Sequence, residues 1–143
     1  MLSLKCKYAI RSLLHIAVSN GQYERYNIKQ LAVDLKIPAP YLSKIMQDLV
    51  PKKLVSSVKG PNGGFYLTPE NLNTPLISVV EAIDGLSFFE DCGLGLATCS
   101  DESPCPLHKE FKVARDQLRA TFTNQTIATL ARDTKLQHLI LVR

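Results

Sequence analysis

Apolar residues in the N-terminal part of the chain recur every three or four positions, the spacing that stacks side chains on one face of a helix. From about Lys5 to Ser19, Ala9, Ile10, Leu13, Leu14, Ile16 and Ala17 make a broad apolar face, and Asn20-Gly21 stops the run. This first helix is expected to be largely buried. A second helix, running to about Leu35, has a full set of start signals: Asn27 as N-cap, Gln30 as capping-box partner, and Tyr26 against Leu31 as a hydrophobic staple. After the Lys36-Ile37-Pro38 break, Pro40 suits a first helical turn, and Leu42, Ile45, Met46 and Leu49 repeat at i, i+3, i+4 and i+7. The pattern then changes period. Leu54 to Lys59 and Phe65-Tyr66-Leu67 read as strands on either side of the turn Gly60-Pro61-Asn62-Gly63-Gly64. Thr74-Pro75 opens a helix carrying Leu76, Val79, Val80 and Ile83 that ends at Gly85. Pro106 opens a long helix with Leu107, Phe111, Ala114, Leu118 and Phe122 on one stripe. So little structure remains to cover this stripe that a second copy of the chain is its expected partner, with intramolecular core as the other reading. Thr126 caps a last short helix with Ile127 and Leu130, and the apolar end from Leu136 to Val142 is expected to pack or swap onto a neighbour.

The predicted fold class is therefore mainly α with a small β-hairpin wing. Residues 1–70 form a winged helix-turn-helix unit and residues 71–143 a loop and dimerisation helix, one compact domain with an extension. Charge separates the two parts. The 143 residues carry a net charge of +4, yet residues 1–70 hold ten Lys and Arg against four Asp and Glu, while residues 71–143 hold seven against nine. The basic part is the polyanion-facing part. On the third helix Tyr41, Ser43, Lys44 and Gln47 face outward and offer donors to base edges in a major groove, although a solvated helix face would look alike. Lys52, Lys53, Lys59, Gly60, Asn62 and Gly63 place charge and a close-approaching backbone around the wing, unless the glycines serve only the hairpin turn. The expected partner is double-stranded DNA with a palindromic operator.

The remaining chemistry lies in one loop. Cys92, Cys99 and Cys105, separated by six and five residues, are followed by His108. Thiolates and an imidazole suit zinc or an iron–sulfur centre rather than a hard cation. The tight Cys pairs of structural zinc sites are missing, and spacing alone leaves both possible. No apolar leader opens the sequence and no run approaches the ~18 apolar residues of a membrane span, so the expected location is the reducing cytoplasm, with no membrane partner. A structural disulfide is disfavoured there, and incidental thiols or a redox pair remain as the plain reading. No Cys-x2-Cys, phosphate-binding glycine loop or Ser/His/Asp grouping points to an enzyme, and His15 and His138 read as structural.

Leu4 to Ala9, the helix around Tyr41-Leu42, the wing from Leu54 to Phe65 and the three-cysteine loop together resemble the IscR/NsrR/CymR family of bacterial transcription regulators. The resemblance covers most of the chain, and the wing is its most specific part. It implies a homodimer with two winged-helix units, a long dimerisation helix, and a 2Fe-2S or 4Fe-4S cluster whose state controls operator binding. The cysteines resemble the cluster-binding branch rather than the CymR-like branch. His108 matches the position from which IscR-like members supply a fourth ligand to a 2Fe-2S cluster, so the implied ligand set is Cys92, Cys99, Cys105 and His108. NsrR-like members use an acidic residue of the partner's first helix, where this chain has Lys7. The first cysteine gap is six residues where relatives often have five, and Lys59 stands where many carry arginine. Cys6 replaces a small residue, and is read as a packing thiol with a redox partner as the alternative. The other classes left open are a zinc-stabilised DNA-binding protein, a thiol-redox regulator without a cluster, and an electron carrier.

Overall fold

The structure, a computed structural model, describes residues 1–19 and 24–136. Helix α1 (Leu4–Ser19) packs against α2 (Ile28–Leu35), α3 (Ala39–Leu49), α5 (Leu76–Ile83) and α7 (Ile127–Leu136). Its expected burial is realised, with Ala9, Leu13, Leu14 and Ile16 buried together with Cys6 and Ser12. Leu31, Leu35, Leu42, Ile45, Met46 and Leu49 meet α1 in one core that also takes Leu76, Val79 and Ile127. Each such side chain contributes about 1.5–3 kcal/mol on leaving water, so this cluster holds the helix-turn-helix in place. The elements on either side of residue 70 thus share a core. The Asn20-Gly21 stop, His138 and most of the apolar Leu136 to Val142 end lie outside the described residues.

Local chemistry explains the ends of the helices. The Asn27 side chain accepts the Lys29 N–H at 2.7 Å, so it is the N-cap of α2 as expected. Gln30 does not return the bond; its amide donates to Asp34 Oδ1 at 2.6 Å instead. The carboxylate one turn further along the helix is the stronger acceptor and lies at the favourable i, i+4 spacing. Lys36 closes α2 in the left-handed region, with φ 55°. Bonds from Lys36 N–H to Val33 O and from Ile37 N–H to Ala32 O form a Schellman closure that buries Ile37. The same closure follows α3, where Lys53 has φ 59° and the Leu54 N–H reaches Leu49 O.

The wing consists of β1 (Ser56–Val58) and β2 (Gly64–Tyr66), antiparallel, with Ser57 opposite Phe65. The first strand is shorter than the apolar pattern predicts and the second begins and ends one residue earlier, because Leu54, Val55 and Leu67 turn inward and are buried. Tyr26 pairs with Phe65 through Tyr26 N–H to Phe65 O at 2.7 Å and Phe65 N–H to Tyr26 O at 3.0 Å, so the entrance to α2 lies against the hairpin. A short helix, α4 (Pro69–Leu72), follows under a Thr68–Asn71 capping box. Thr74 does not cap α5: its hydroxyl donates to Glu70 O, and Pro75 occupies the cap position. Leu76 N–H to Gln125 O and Ile127 N–H to Thr74 O join the starts of α5 and α7. A 3-10 turn (Ser87–Phe89) leads into the cysteine loop, and α6 (His108–Asn124) begins two residues later than the expected Pro106 start. No helix among the described residues is long and apolar enough to cross a membrane.

Candidate nucleic-acid interface and cysteine loop

Helix α3 turns its apolar stripe into the core, which leaves Tyr41, Lys44 and Gln47 exposed and Ser43 half-buried. Gln47 Nε2 donates to Ser43 Oγ at 3.2 Å, and the Tyr41 ring stands edge-on to Tyr8 of α1 at 6.0 Å between centroids. Between α3 and the wing lies an open cleft of about 590 Å³. Ser43 and Gln47 line one side and Lys59, Gly60 and Gly63 the other. The structure therefore brings Ser43 and Gln47 of the helix together with Lys59, Gly60 and Gly63 of the wing, while Tyr41 and Lys44 lie outside the cleft. Lys53 is exposed at the turn after α3 and Asn62 at the wing tip. Lys52 stands apart, since its Nζ donates to Ala82 O on α5 at 3.2 Å.

The wing glycines carry distinct constraints. A Cβ on Gly63 would lie 2.1 Å from Val58 O, and one on Gly64 2.7 Å from Tyr26 O, so the hairpin and its docking exclude side chains there. Gly60, at φ 105°, faces open space and is held to glycine by its backbone angle alone. Sequence reasoning missed Arg25, whose Nη1 donates to the carbonyl of Asn62 at 3.1 Å and supports the wing tip. Only the non-local Tyr26 and Phe65 pairing puts Arg25 there. It also missed Asn71, which is buried: Nδ2 donates to Lys53 O at 2.7 Å, while Oδ1 accepts from Thr68 N–H at 2.9 Å and Ser56 Oγ at 3.0 Å. Asn71 thereby ties the turn after α3 to strand β1. Its cap spacing, Thr68-x-x-Asn71, was the available signal.

The cysteine loop is held against α6. Arg115 Nη1 donates to Glu90 O and Asp91 O at 3.0 and 3.1 Å, Arg119 pairs with Glu90, and a Cβ on Gly93 would press into the Phe111 ring at 2.9 Å. Cys92, Cys99 and Cys105 are free and half-buried, and His108 is buried at the start of α6. These donors stand as two pairs. Cys99 Sγ lies 3.3 Å from His108 Nδ1, and Cys105 is near enough to Cys92 to act on its thiol. Backbone N–H groups of Leu94 and Leu96 first, with the Cys105 side chain after them, favour the Cys92 thiolate and lower its pKa. Among the described residues no three His, Cys, Asp or Glu side chains converge as a site for a single metal ion. Three thiols and an imidazole nonetheless fit, as chemistry, the donors that iron–sulfur clusters take.

His108 Nε2 lies 2.8 Å from Asp101 Oδ1, and Lys112 Nζ lies 2.6 Å from Asp101 Oδ2. Hydrogen bonds from Lys112 and then His108 bring the Asp101 carboxyl down to about 2. Glu90 and Asp101, two of the loop acids, are thus partnered by α6. Cys6 is a different case. It is fully buried beside Val80 and Phe89, and burial, with Asp84 nearby, pushes its thiol up to about 12. That environment favours the packing role.

A helix-turn-helix followed by a hairpin wing on a basic face defines a winged-helix transcription regulator. The chain belongs to the Rrf2 family: residues 2–133 match Rrf2, described as iron-dependent transcriptional regulator. It is 30% identical over 126 residues to an HTH-type transcriptional regulator of Aquifex aeolicus, covering 87% of this chain and 86% of that protein. It is 26% identical over 129 residues to IscR of Escherichia coli, covering 90% of this chain and 78% of that protein. Its fold is that of CymR, the global cysteine regulator of B. subtilis, at TM-score 0.75 and 19% identity over 94% of this chain and 98% of that one. T. potens IscR is similar at TM-score 0.70 and 17% identity, over 97% and 91%. The expected family and fold are both borne out, and the protein is a transcription regulator rather than an enzyme.

Proposed function

We propose that this regulator binds a palindromic operator as a homodimer and that an iron–sulfur cluster, most simply 2Fe-2S, on Cys92, Cys99, Cys105 and His108 controls the binding. The observation that carries the reading is the arrangement of four donors as two pairs in a loop clasped by α6. Each iron of a 2Fe-2S cluster takes two protein ligands, whereas structural zinc takes four about one point. When bound, the cluster supplies a redox couple and a crosslink sensitive to iron supply. The chain does the rest. Lys44, Lys53 and Lys59 provide salt-dependent backbone affinity, Ser43 and Gln47 offer groups to base edges from the cleft, and Tyr41 does so from the exposed start of α3. Gly60, Asn62 and Gly63 let the wing tip approach the backbone closely, and Lys52 adds to the field from the α5 side. Through Arg115 and Arg119 the loop meets the helix proposed to join the two copies, so a change in the loop bears on how the two winged units are aimed.

The test is anaerobic reconstitution, with iron and sulfide analysis and an absorption spectrum, followed by titration of loaded and unloaded protein with palindromic and random duplexes at several salt concentrations. Near-stoichiometric iron and sulfide, a visible absorption band, and loading-dependent affinity for the palindrome are expected. A colourless protein containing zinc would sink the cluster reading. A second reading rests on the free cysteines themselves: Cys92 with Cys105 near it suits a loop switched by thiol oxidation. In that case no iron is taken up, and a reversible disulfide, read by mass spectrometry, alters DNA affinity.

A further inference from the structure

An imidazole can ligate through either ring nitrogen, and the one that carries the proton is excluded. His108 is buried between two different partners: Nδ1 faces Cys99 Sγ at 3.3 Å, and Nε2 faces Asp101 Oδ1 at 2.8 Å. A carboxylate is an acceptor only, so the ring proton belongs on Nε2 and the Nδ1 lone pair is left toward the thiols. The other carboxylate oxygen accepts from Lys112 Nζ at 2.6 Å. Lys112 stands one helical turn after His108 on α6, so the helix carries both the ring and the ammonium that anchors the ring's acceptor. Asp101 is itself 70% exposed and packs into no core, which leaves its two bonds as its evident contribution.

We infer that Asp101 is a positioning residue for the cluster site: its carboxylate fixes His108 in the Nε2–H tautomer and aims Nδ1 at the thiol loop, and Lys112 holds the carboxylate there. The inference rests on the cluster reading above. It adds a residue outside the four ligands whose removal changes how firmly and with what electronic character the imidazole ligates.

The experiment compares wild type, Asp101→Ala, Asp101→Asn, His108→Cys and the double variant Asp101→Ala/His108→Cys after anaerobic reconstitution. Iron retention against a chelator, the visible spectrum and the midpoint potential are read. Asp101→Ala is expected to keep the wild-type far-ultraviolet circular dichroism and to release iron more readily, with metal affinity weakened by about 10–100-fold, together with a shifted spectrum. Asp101→Asn keeps an acceptor oxygen without the charge, so it should retain iron better than Asp101→Ala and still show an altered potential. In the His108→Cys background, where no imidazole ligates, Asp101→Ala should have no further effect. Wild-type behaviour of Asp101→Ala in retention, spectrum and potential overturns the inference, and so does an equal loss of iron in the His108→Cys background, which would mark Asp101 as general loop scaffolding. Wild type that takes up no iron overturns the cluster reading itself, and this inference with it.

Discussion

Asp34 shows how one carboxylate can link three parts of a small fold. Its Oδ2 accepts from the Tyr26 hydroxyl and lies 3.1 Å from His15 Nε2, while Oδ1 accepts from Gln30. Tyr26 in turn pairs with the wing at Phe65, and His15 stands on α1 with its ring edge-on to Tyr26. The Tyr26 bond foremost, then those from Gln30 and His15, hold the Asp34 carboxyl below its ordinary value. Folding therefore favours the ionised form. The stabilisation is present above the unfolded pKa of roughly 4 and is lost as pH falls through the lower folded value. Asp34→Asn should cost about 1.5–3 kcal/mol at pH 7, the range for hydrogen bonds to a charged group, and the cost should shrink as pH is lowered toward 3. Urea midpoints of both proteins at the two pH values measure it, and a pH-independent difference would assign the loss to packing. None of this was legible in the sequence, where His15 read simply as structural and Asp34 carried no motif. The three residues belong to separate segments, and only the tertiary fold makes them neighbours.

Helix starts and apolar faces were legible because they depend on neighbours a few residues away. The Asn27 cap and the Leu42, Ile45, Met46 and Leu49 stripe appear where the spacing puts them. The exceptions mark competition that a local motif leaves out: Gln30 prefers Asp34 to the cap, and Thr74 completes α4 instead of opening α5. The two left-handed lysines were invisible for a related reason, since glycine is the usual residue there and lysine gives no signal. They also carry a cost. A residue with a Cβ is disfavoured in that region by roughly 1–2 kcal/mol. Lys36 is exposed, and its backbone N–H makes the closing bond whatever the side chain. Lys36→Gly should therefore keep the Schellman closure and raise stability by up to about 1 kcal/mol, some glycine entropy being lost in return. Thermal unfolding followed by circular dichroism checks it, and a lowered midpoint would show that the lysine side chain makes a compensating contact.

At the scale of the whole molecule, α6 separates what one chain completes from what it leaves open. Part of the apolar stripe read from the sequence is covered within the chain: Phe122 packs on Phe89 at 5.8 Å between centroids, and Phe111 lies beneath Gly93. Periodicity could not reveal this, because the 3-10 turn and the cysteine loop that cover these rings have no apolar period of their own. Leu118 stays open at 37%, as does Leu107, the residue before the helix, at 41% on the same side, while Val113, 67% exposed, lies about 120° around the helix. His108 is the one α6 residue that is buried. An exposed apolar side with the proposed cluster loop at its head is the surface expected for the dimer seam, where an interface buries roughly 800 Å² per partner. Leu118→Glu separates assembly from folding because Leu118 lies outside the buried core and keeps enough surface open for a glutamate to reach water. In a monomer the glutamate can reach water and costs about 1 kcal/mol, whereas in a closed seam its unpaired charge would be buried at a cost of several kcal/mol. Sedimentation at micromolar concentration should give a folded monomer with a normal circular dichroism spectrum. Affinity for a palindromic duplex should fall steeply, while binding to a single half-site stays nearly unchanged, because each winged unit keeps its own contacts. An unaltered dimer would move the interface away from this face of α6.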